Sequence, residues 1–247
     1  MRHIGIDEIS LHKGHRDFCC VLVDLETNQV IEVLPERTKD YLIKYFNGLG
    51  KEFCNQIKVV SSDMWDGFTT LKDSVFPNAM VVIDRFHFAS TLNKQLDDFR
   101  KSLKKDVFVD KVADLRKLRF GLLKSPENVT QDEYCTLIQA FALSSDLEIF
   151  YNLKQELKLI FDSKITRKEA EKKINNWIES AKNLSNKYLD KFIKTFQNWK
   201  DKVLNFFHLR LSNGVVEGKN NKIKLIKRRG YGYLNFENFR LRVLSEC

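Results

Sequence analysis

Two short apolar runs constrain this chain most: Ile57-Lys58-Val59-Val60-Ser61-Ser62-Asp63 and Ala79-Met80-Val81-Val82-Ile83-Asp84. Both are rich in β-branched residues and neither alternates apolar with polar, which is the pattern of strands buried in the middle of a sheet. Between them Trp65 to Phe76 has helical spacing and stops at Pro77-Asn78. Upstream, His3 to Ile9 reads as a strand with Ile4 and Ile6 on one face, and Arg16 to Leu25 is dense in β-formers. The turn Glu26-Thr27-Asn28-Gln29 joins it to Val30–Pro35 as a hairpin. Thr38 to Leu49 reads as a helix ending at Gly48-Leu49-Gly50. The order β-β-β-α-β-α-β predicts an α/β fold, a mixed sheet with helices on its faces.

From Phe86 to about Arg210 the pattern is helical throughout. The spacing predicts helices over 87–104, 106–123, 131–143, 146–162, 167–182 and 187–210, with a break at Ser125-Pro126-Glu127-Asn128. Capping-box pairs mark three starts: Thr130–Glu133, Ser145–Glu148 and Thr166–Glu169. Trp177 and Trp199 fall at helix-packing positions; the other reading of them is stacking on a distorted or flipped base. Leu234 to Leu244 reads as a final helix, with Phe236, Phe239 and Leu241 inward.

Composition adds three bounds. No apolar run approaches the ~20 residues of a membrane span, and the N-terminus has no signal-peptide pattern. The five cysteines are scattered without a CxxC pair, which argues against a disulfide framework and a structural zinc site and fits a reducing cytosol. The net charge of +9 is uneven. Residues 1–100 carry 12 Lys+Arg against 15 Asp+Glu, while residues 101–247 carry 30 against 18. The second part suits a polyanion such as DNA, although Lys-rich solvated helices give the same count.

The basic character peaks in Asn213–Tyr233, where Glu217 is followed by Lys219, Lys222, Lys224, Lys227, Arg228 and Arg229 with no acid among them. On a helix at about 100° per residue, Val215, Val216, Ile223 and Ile226 share one arc, and Glu217, Asn221, Lys224 and Arg228 another. The apolar arc docks on a core; the polar arc sets one carboxylate among cations.

Asp7, Asp63 and Asp84 each stand at or near the end of an apolar strand. In an open sheet, sites form at the carboxyl ends of adjacent central strands. A strand-end acid is also an ordinary helix N-cap, which accounts for Asp84 before Arg85-Phe86-His87 but accounts poorly for Asp7, where extended chain continues. Asp24 ends a strand of the antiparallel hairpin and is placed at the opposite edge. Carboxylates held together repel unless a cation lies between them. Oxygen donors alone favour Mg²⁺ or Mn²⁺, two of which can act on a phosphodiester. A third carboxylate is required, and Glu217 on its basic helix is the candidate.

The segments Gly5-Ile6-Asp7-Glu8, Lys13-Gly14-His15-Arg16, Ser62-Asp63-Met64-Trp65, Asp84-Arg85-Phe86-His87, Asn213 to Gly218, Asn220 to Lys224, Lys227 to Gly232 and Asn235 to Arg240 resemble the catalytic region of ISL-three family bacterial transposases, in order and over essentially the whole chain. The resemblance implies an RNase H-like (retroviral-integrase superfamily) α/β fold: a mixed five-stranded sheet flanked by helices, with a large all-α insertion domain before the last catalytic helix. It implies a core of residues 1–95 and 207–247, an insertion of residues 96–206, and DDE chemistry at Asp7, Asp63 and Glu217, these three being both catalytic and metal-ligating with two Mg²⁺ or Mn²⁺ ions. Lys219, Lys222, Lys224, Lys227, Arg228 and Arg229 are then the DNA contacts, with Lys13, Arg16, Arg85 and His87 as further candidates near the site; a His packing or capping its own helix turn explains His87 equally well. The implied partners are the element ends and target DNA, met as a homodimer or larger oligomer in the bacterial cytoplasm on the nucleoid, away from membranes. Relatives usually begin with a zinc-ribbon and helix-turn-helix region, which this sequence is expected to lack. Two other readings remain open: a truncated DNA-binding regulator without catalysis, and an RNase H-like nuclease selective for branched DNA.

Overall fold

The computed structural model describes the 247 residues apart from 13–15, 104–106, 109–111, 113 and 211–213, and apart from the side chains of residues 12, 16, 68 and 69. It forms two compact units: Met1–Arg85 with Asp201–Cys247, and Phe86–Lys200. The division lies at 85/86 and 200/201, where the sequence reading sets boundaries at 95/96 and 206/207.

The first unit is built on five strands, β1 (His3–His12), β2 (Arg16–Asp24), β3 (Gln29–Leu34), β4 (Val59–Ser62) and β5 (Met80–Ile83), in the spatial order β3-β2-β1-β4-β5. The hairpins make β1–β2 and β2–β3 antiparallel; β1–β4 and β4–β5 are parallel. The turn into β3 uses Asn28 in the left-handed region (φ 60°), which Asn tolerates better than most residues. The register of β2 on β3 shifts between Leu22 and Val23. This inserts the exposed Ile31 as an extra residue and lets Val30 and Val33 share one face despite their odd spacing.

Side-chain alternation divides the sheet into two faces. Ile4, Ile6, Cys20, Leu22, Leu34 and Val60 pack against α1 (Lys39–Gly48), α2 (Lys51–Gln56) and α3 (Asp66–Val75) through Leu42, Phe46, Cys54, Leu71 and Val75. The sequence reading has no helix at 51–56; Gly50, at φ 92°, turns the chain from α1 directly into this short one. Phe46 and Phe76 meet edge to face with centroids 4.8 Å apart.

The second unit is helical: α4 (Arg85–Leu103, whose first residue belongs to the first unit), α5 (Leu115–Leu123), α6 (Gln131–Leu143), α7 (Ser145–Asp162), α8 (Arg167–Lys182) and α9 (Lys187–Leu204, whose end returns to the first). Its core includes Phe150, Leu157, Ile174, Trp177, Phe192 and Phe196, all nearly inaccessible to water. The capping boxes at Thr130–Glu133 and Thr166–Glu169 are formed as expected. At α7 the cap is Ser144 and not Ser145. Ser144 is the residue with extended backbone, and its hydroxyl accepts the Leu147 N–H at 3.3 Å, so Ser145 becomes the first helical residue. The helix expected over 106–123 is described only from Leu115, where the Asp114 carboxylate caps the N–H groups of Arg116 and Lys117. The stretch 187–210 is not one helix. It breaks at Asn205, whose side-chain amide donates to the Val81 carbonyl of β5 at 2.8 Å, and α10 (Phe206–Leu209) follows.

The second face of the sheet carries Ile9, Cys19, Val21, Val23, Val30 and Val33. It is covered by α11 (Gly214–Arg229) and α12 (Phe236–Glu246) through Val216, Ile223, Ile226, Phe239 and Val243. Asn235 rather than Leu234 marks the start of α12, capping the Glu237 and Asn238 N–H groups. Among the described residues no helix is long and apolar enough to cross a membrane.

Candidate active site at the carboxyl ends of the central strands

The ladder of β1 on β4 pairs His3 with Val59, Ile4 with Val60 and Gly5 with Ser61, a constant offset of 56 residues. Carried two residues further, the same offset sets Asp7 level with Asp63. The β4–β5 ladder pairs Ser62 with Ile83, so its next step sets Asp84 level with Asp63. Asp7, midway along β1, thus shares one register with Asp63 and Asp84, each of which directly follows the last residue of its parallel strand. Asp24 pairs with Ile4 at the other end of the β1–β2 ladder, as its antiparallel strand requires, and its carboxylate caps the turn by accepting the Glu26 N–H.

Alternation decides which face each acid serves. Ile9 lies on the face covered by α11 and α12, so Asp7, two residues away, points there as well. The pairing of Gly5 with Ser61 puts Asp63 on that face by the same count. Glu8, the other acid of the pair, points to the opposite face. There it pairs with Arg37, whose guanidinium also lies 4.2 Å from the Phe18 ring centroid and 5.7 Å from that of Trp65. Arg37 thereby ties the chain after β3 to β1, to β2 and to the segment that follows Asp63. Gly67 permits this arrangement: a Cβ there would collide with the Trp65 indole. No periodicity marks Arg37 in the sequence, and the sequence reading passes over it.

The half-buried Asp7 carboxylate is held at both oxygens. Oδ1 accepts the Glu8 N–H at 2.7 Å, and Oδ2 accepts the side-chain amide of Asn220 at 2.7 Å. Asn220 is 5% exposed and lies on α11, one turn after Glu217. Its Oδ1 is buried and meets no hydrogen-bond donor among the described residues; the same is true of the Ser61 hydroxyl, two residues before Asp63. An unmet buried acceptor costs about 1–3 kcal/mol, so each of these two atoms favours a polar group or a water against it. The combined negative field is felt at Cys20: burial pushes its thiol well above the usual range, and the charges of Cys19, Asp7, Glu8 and Asp63 push it further.

Glu217 lies in the first turn of α11 and is exposed, at the (i, i+3) position to Asn220, a spacing of about 5–6 Å between Cβ atoms. The register sets Asp7 level with Asp63 on neighbouring strands, and the Glu217 helix docks on Asp7 through Asn220. Among the described residues no three His, Cys, Asp or Glu side chains converge to metal-ligating distance. The donors present are nevertheless of the right kind for a hard cation, carboxylates with a buried neutral amide oxygen beside them.

The basic residues of α11 divide into two sets. Lys219 and Lys222 donate to the Cys247 and Glu246 carbonyls, Arg229 pairs with the Glu246 carboxylate, and the Lys227 ammonium donates to the Ser10 carbonyl of β1 at 2.8 Å. These four fasten α11 to its neighbours. Lys224 and Arg228 are exposed, and no hydrogen bond or ion pair engages them among the described residues. Asn221, placed with Glu217 on the polar arc, is exposed, whereas Asn220, at the edge of the apolar arc, is the residue that reaches the site.

The remaining candidates fall out as follows. Arg85 is exposed, with its guanidinium 5.9 Å from the Phe206 ring centroid. His87 is half-buried, its ring near-perpendicular to that of Phe86, and its backbone carbonyl accepts the Thr91 hydroxyl. Lys13 and the Arg16 side chain lie outside the described residues. The stacking reading of Trp177 and Trp199 is corrected. Trp177 is 1% exposed, donates its indole N–H to the Leu153 carbonyl at 2.7 Å and meets Phe192 edge to face; Trp199 is buried as well. Neither offers a ring face to a base.

A family model for ISL3-type DDE transposases, described as "Transposase", matches residues 4–243. The chain is 28% identical over 246 residues to the transposase for insertion sequence element IS1001 of Bordetella parapertussis, covering 98% of this chain and 60% of that protein. It is 25% identical over 258 residues to the transposase for insertion sequence element IS1557 of Mycobacterium tuberculosis, covering 94% of this chain and 57% of that protein. The chain therefore spans about 60% of the length of these curated relatives. With the match running from the first strand of the sheet into its last helix, the resemblance carried by the motifs is met, and the chain belongs to the ISL3 family of insertion-sequence transposases.

Proposed function

We propose that this chain carries the catalytic core of a DDE transposase on an RNase H-like scaffold, cutting DNA at insertion-sequence ends and joining the freed end to target DNA. The observation that supports this most is the shared register of Asp7 and Asp63 on adjacent parallel strands, with the Glu217 helix tied to Asp7 through Asn220.

In this reading Asp7 and Asp63 hold Mg²⁺ or Mn²⁺ and Glu217 completes the set. The bound cation supplies Lewis-acid stabilisation of the charge that builds on a phosphodiester under attack. The residues of the chain do the rest. Asp7, fixed at both oxygens, keeps its carboxylate in one orientation. Lys224 and Arg228, exposed on the same helix as Glu217, hold backbone phosphates as point and fork donors. Water attacks the phosphorus in line, the bond to the 3′ oxygen breaks, and that oxygen leaves as a 3′-hydroxyl. The hydroxyl then attacks a target phosphodiester, one P–O bond forming as another breaks, with no covalent link to protein.

The test is nicking of supercoiled plasmid with Mn²⁺, which requires no recognition of element ends, comparing the wild-type chain with Asp63→Asn and Glu217→Gln. Loss of several kcal/mol of transition-state stabilisation means a fall of about 100-fold or more in either variant. Either variant nicking at the wild-type rate would sink the assignment. Cleavage without joining of a pre-cut end would point instead to a nuclease.

A further inference from the structure

We propose that Asn220 is a positioning residue: it orients the Asp7 carboxylate for cation binding and couples that carboxylate to the helix bearing Glu217. The proposal rests on the DDE reading and goes beyond its three acids.

Three observations carry it. First, the Asn220 amide donates to Asp7 Oδ2 at 2.7 Å from a site only 5% exposed. With the Glu8 N–H on Oδ1, this removes the carboxylate's rotational freedom. Second, the bond spans 213 residues and joins the first strand to the turn of α11 next to Glu217, whereas the other polar tie between α11 and β1, Lys227 to the Ser10 carbonyl, lies further along the helix. Val216 and Ile223 fix the helix to the sheet by packing, but packing alone tolerates small slides that a hydrogen bond to a carboxylate does not. Third, Asn220 Oδ1 is buried with no donor among the described residues. That oxygen is an acceptor held beside Asp7, available to a water of the ion's shell. Carboxylate ligands are commonly held in this way, and losing the supporting bond weakens metal affinity by about 10–100-fold.

The experiment is Mn²⁺ titration of the purified chain by calorimetry, paired with thermal melting in EDTA and in Mn²⁺, for wild type, Asp63→Asn, Asn220→Ala and Asn220→Asp. Asn220→Ala should melt cooperatively and bind Mn²⁺ about 10–100-fold more weakly. Asn220→Asp sets a second carboxylate against Asp7. Its melting temperature should fall in EDTA and rise on adding Mn²⁺ by more than that of the wild type. This variant decides the question if Asn220→Ala does not fold. Wild-type Mn²⁺ affinity in Asn220→Ala, or a Mn²⁺ shift in Asn220→Asp no larger than the wild type's, overturns the positioning role. If Asp63→Asn binds Mn²⁺ as the wild type does, or the wild type binds none, the DDE reading itself has failed.

Discussion

The Lys154 ammonium of the helical unit is 8% exposed and donates to three carbonyls, those of Leu122 (2.7 Å), Leu123 (3.0 Å) and Lys124 (3.0 Å). These are the last carbonyls of α5 and the residue after it, acceptors that a helix end otherwise leaves unmet. Burial pushes the ammonium down to about 8, with Lys158 adding to the effect, from an ordinary value of 10.5. Below pH 8 it is charged in both the folded and unfolded chain, and the cost of burying the charge is full. Between about pH 8 and 10.5 the unfolded chain binds the extra proton, so the contribution of this group to stability rises with pH. Urea midpoints measured at pH 7.5 and 9.5 should therefore move upward for the wild type relative to Lys154→Met. The sequence does not disclose this lysine among its many others, because nothing local says that a long side chain turns inward. Asn220 was hidden for a related reason. It lies about 40° from Val216 on the helical wheel, between the apolar arc and Glu217. A polar residue at such an edge is told from a solvated one only by what faces it 213 residues away.

The strands and helices were largely legible, because their signals are local. The apolar runs before Asp63 and Asp84 gave β4 and β5, and the caps at Thr130 and Thr166 are formed as written. What escaped turned on contacts from elsewhere or on a choice between neighbours: the break at Asn205 coincides with a bond to β5, and of two adjacent serines the cap of α7 is Ser144 where Ser145 was expected. The element that matters most is α11, held on the sheet by Val216, Ile223 and Ile226. Ile223 is 0% exposed, and Ile223→Ala should cost about 2–4 kcal/mol in chemical denaturation. Because the loosened helix carries Asn220 and Glu217, the same variant should lose Mn²⁺ affinity, whereas an equal loss of stability from a substitution at Ile174 in the helical unit should leave Mn²⁺ affinity unchanged.

At the scale of the molecule the net charge of +9 bears on the proposed binding of DNA. Each phosphate neutralised contributes about 0.9 to the slope of log affinity against log salt. Removing the two unengaged cations together, Lys224→Ala with Arg228→Ala, should flatten that slope by about two in a fluorescence-anisotropy titration. Lys227→Ala should leave the slope nearly as it was, because its ammonium is already held by the Ser10 carbonyl. The long path from Asp7 to Asn220 has a consequence for time as well as for space. A chain emerging from the ribosome presents its aspartates early, but α11 is made about 150 residues after Asp63, roughly 7–30 seconds later at ordinary elongation rates. Throughout that interval the nascent chain holds an incomplete site. The DNA cleavage proposed above would thereby be silent until nearly all of this sequence has been translated, and a message broken before α11 yields a product that holds the aspartates but not the glutamate.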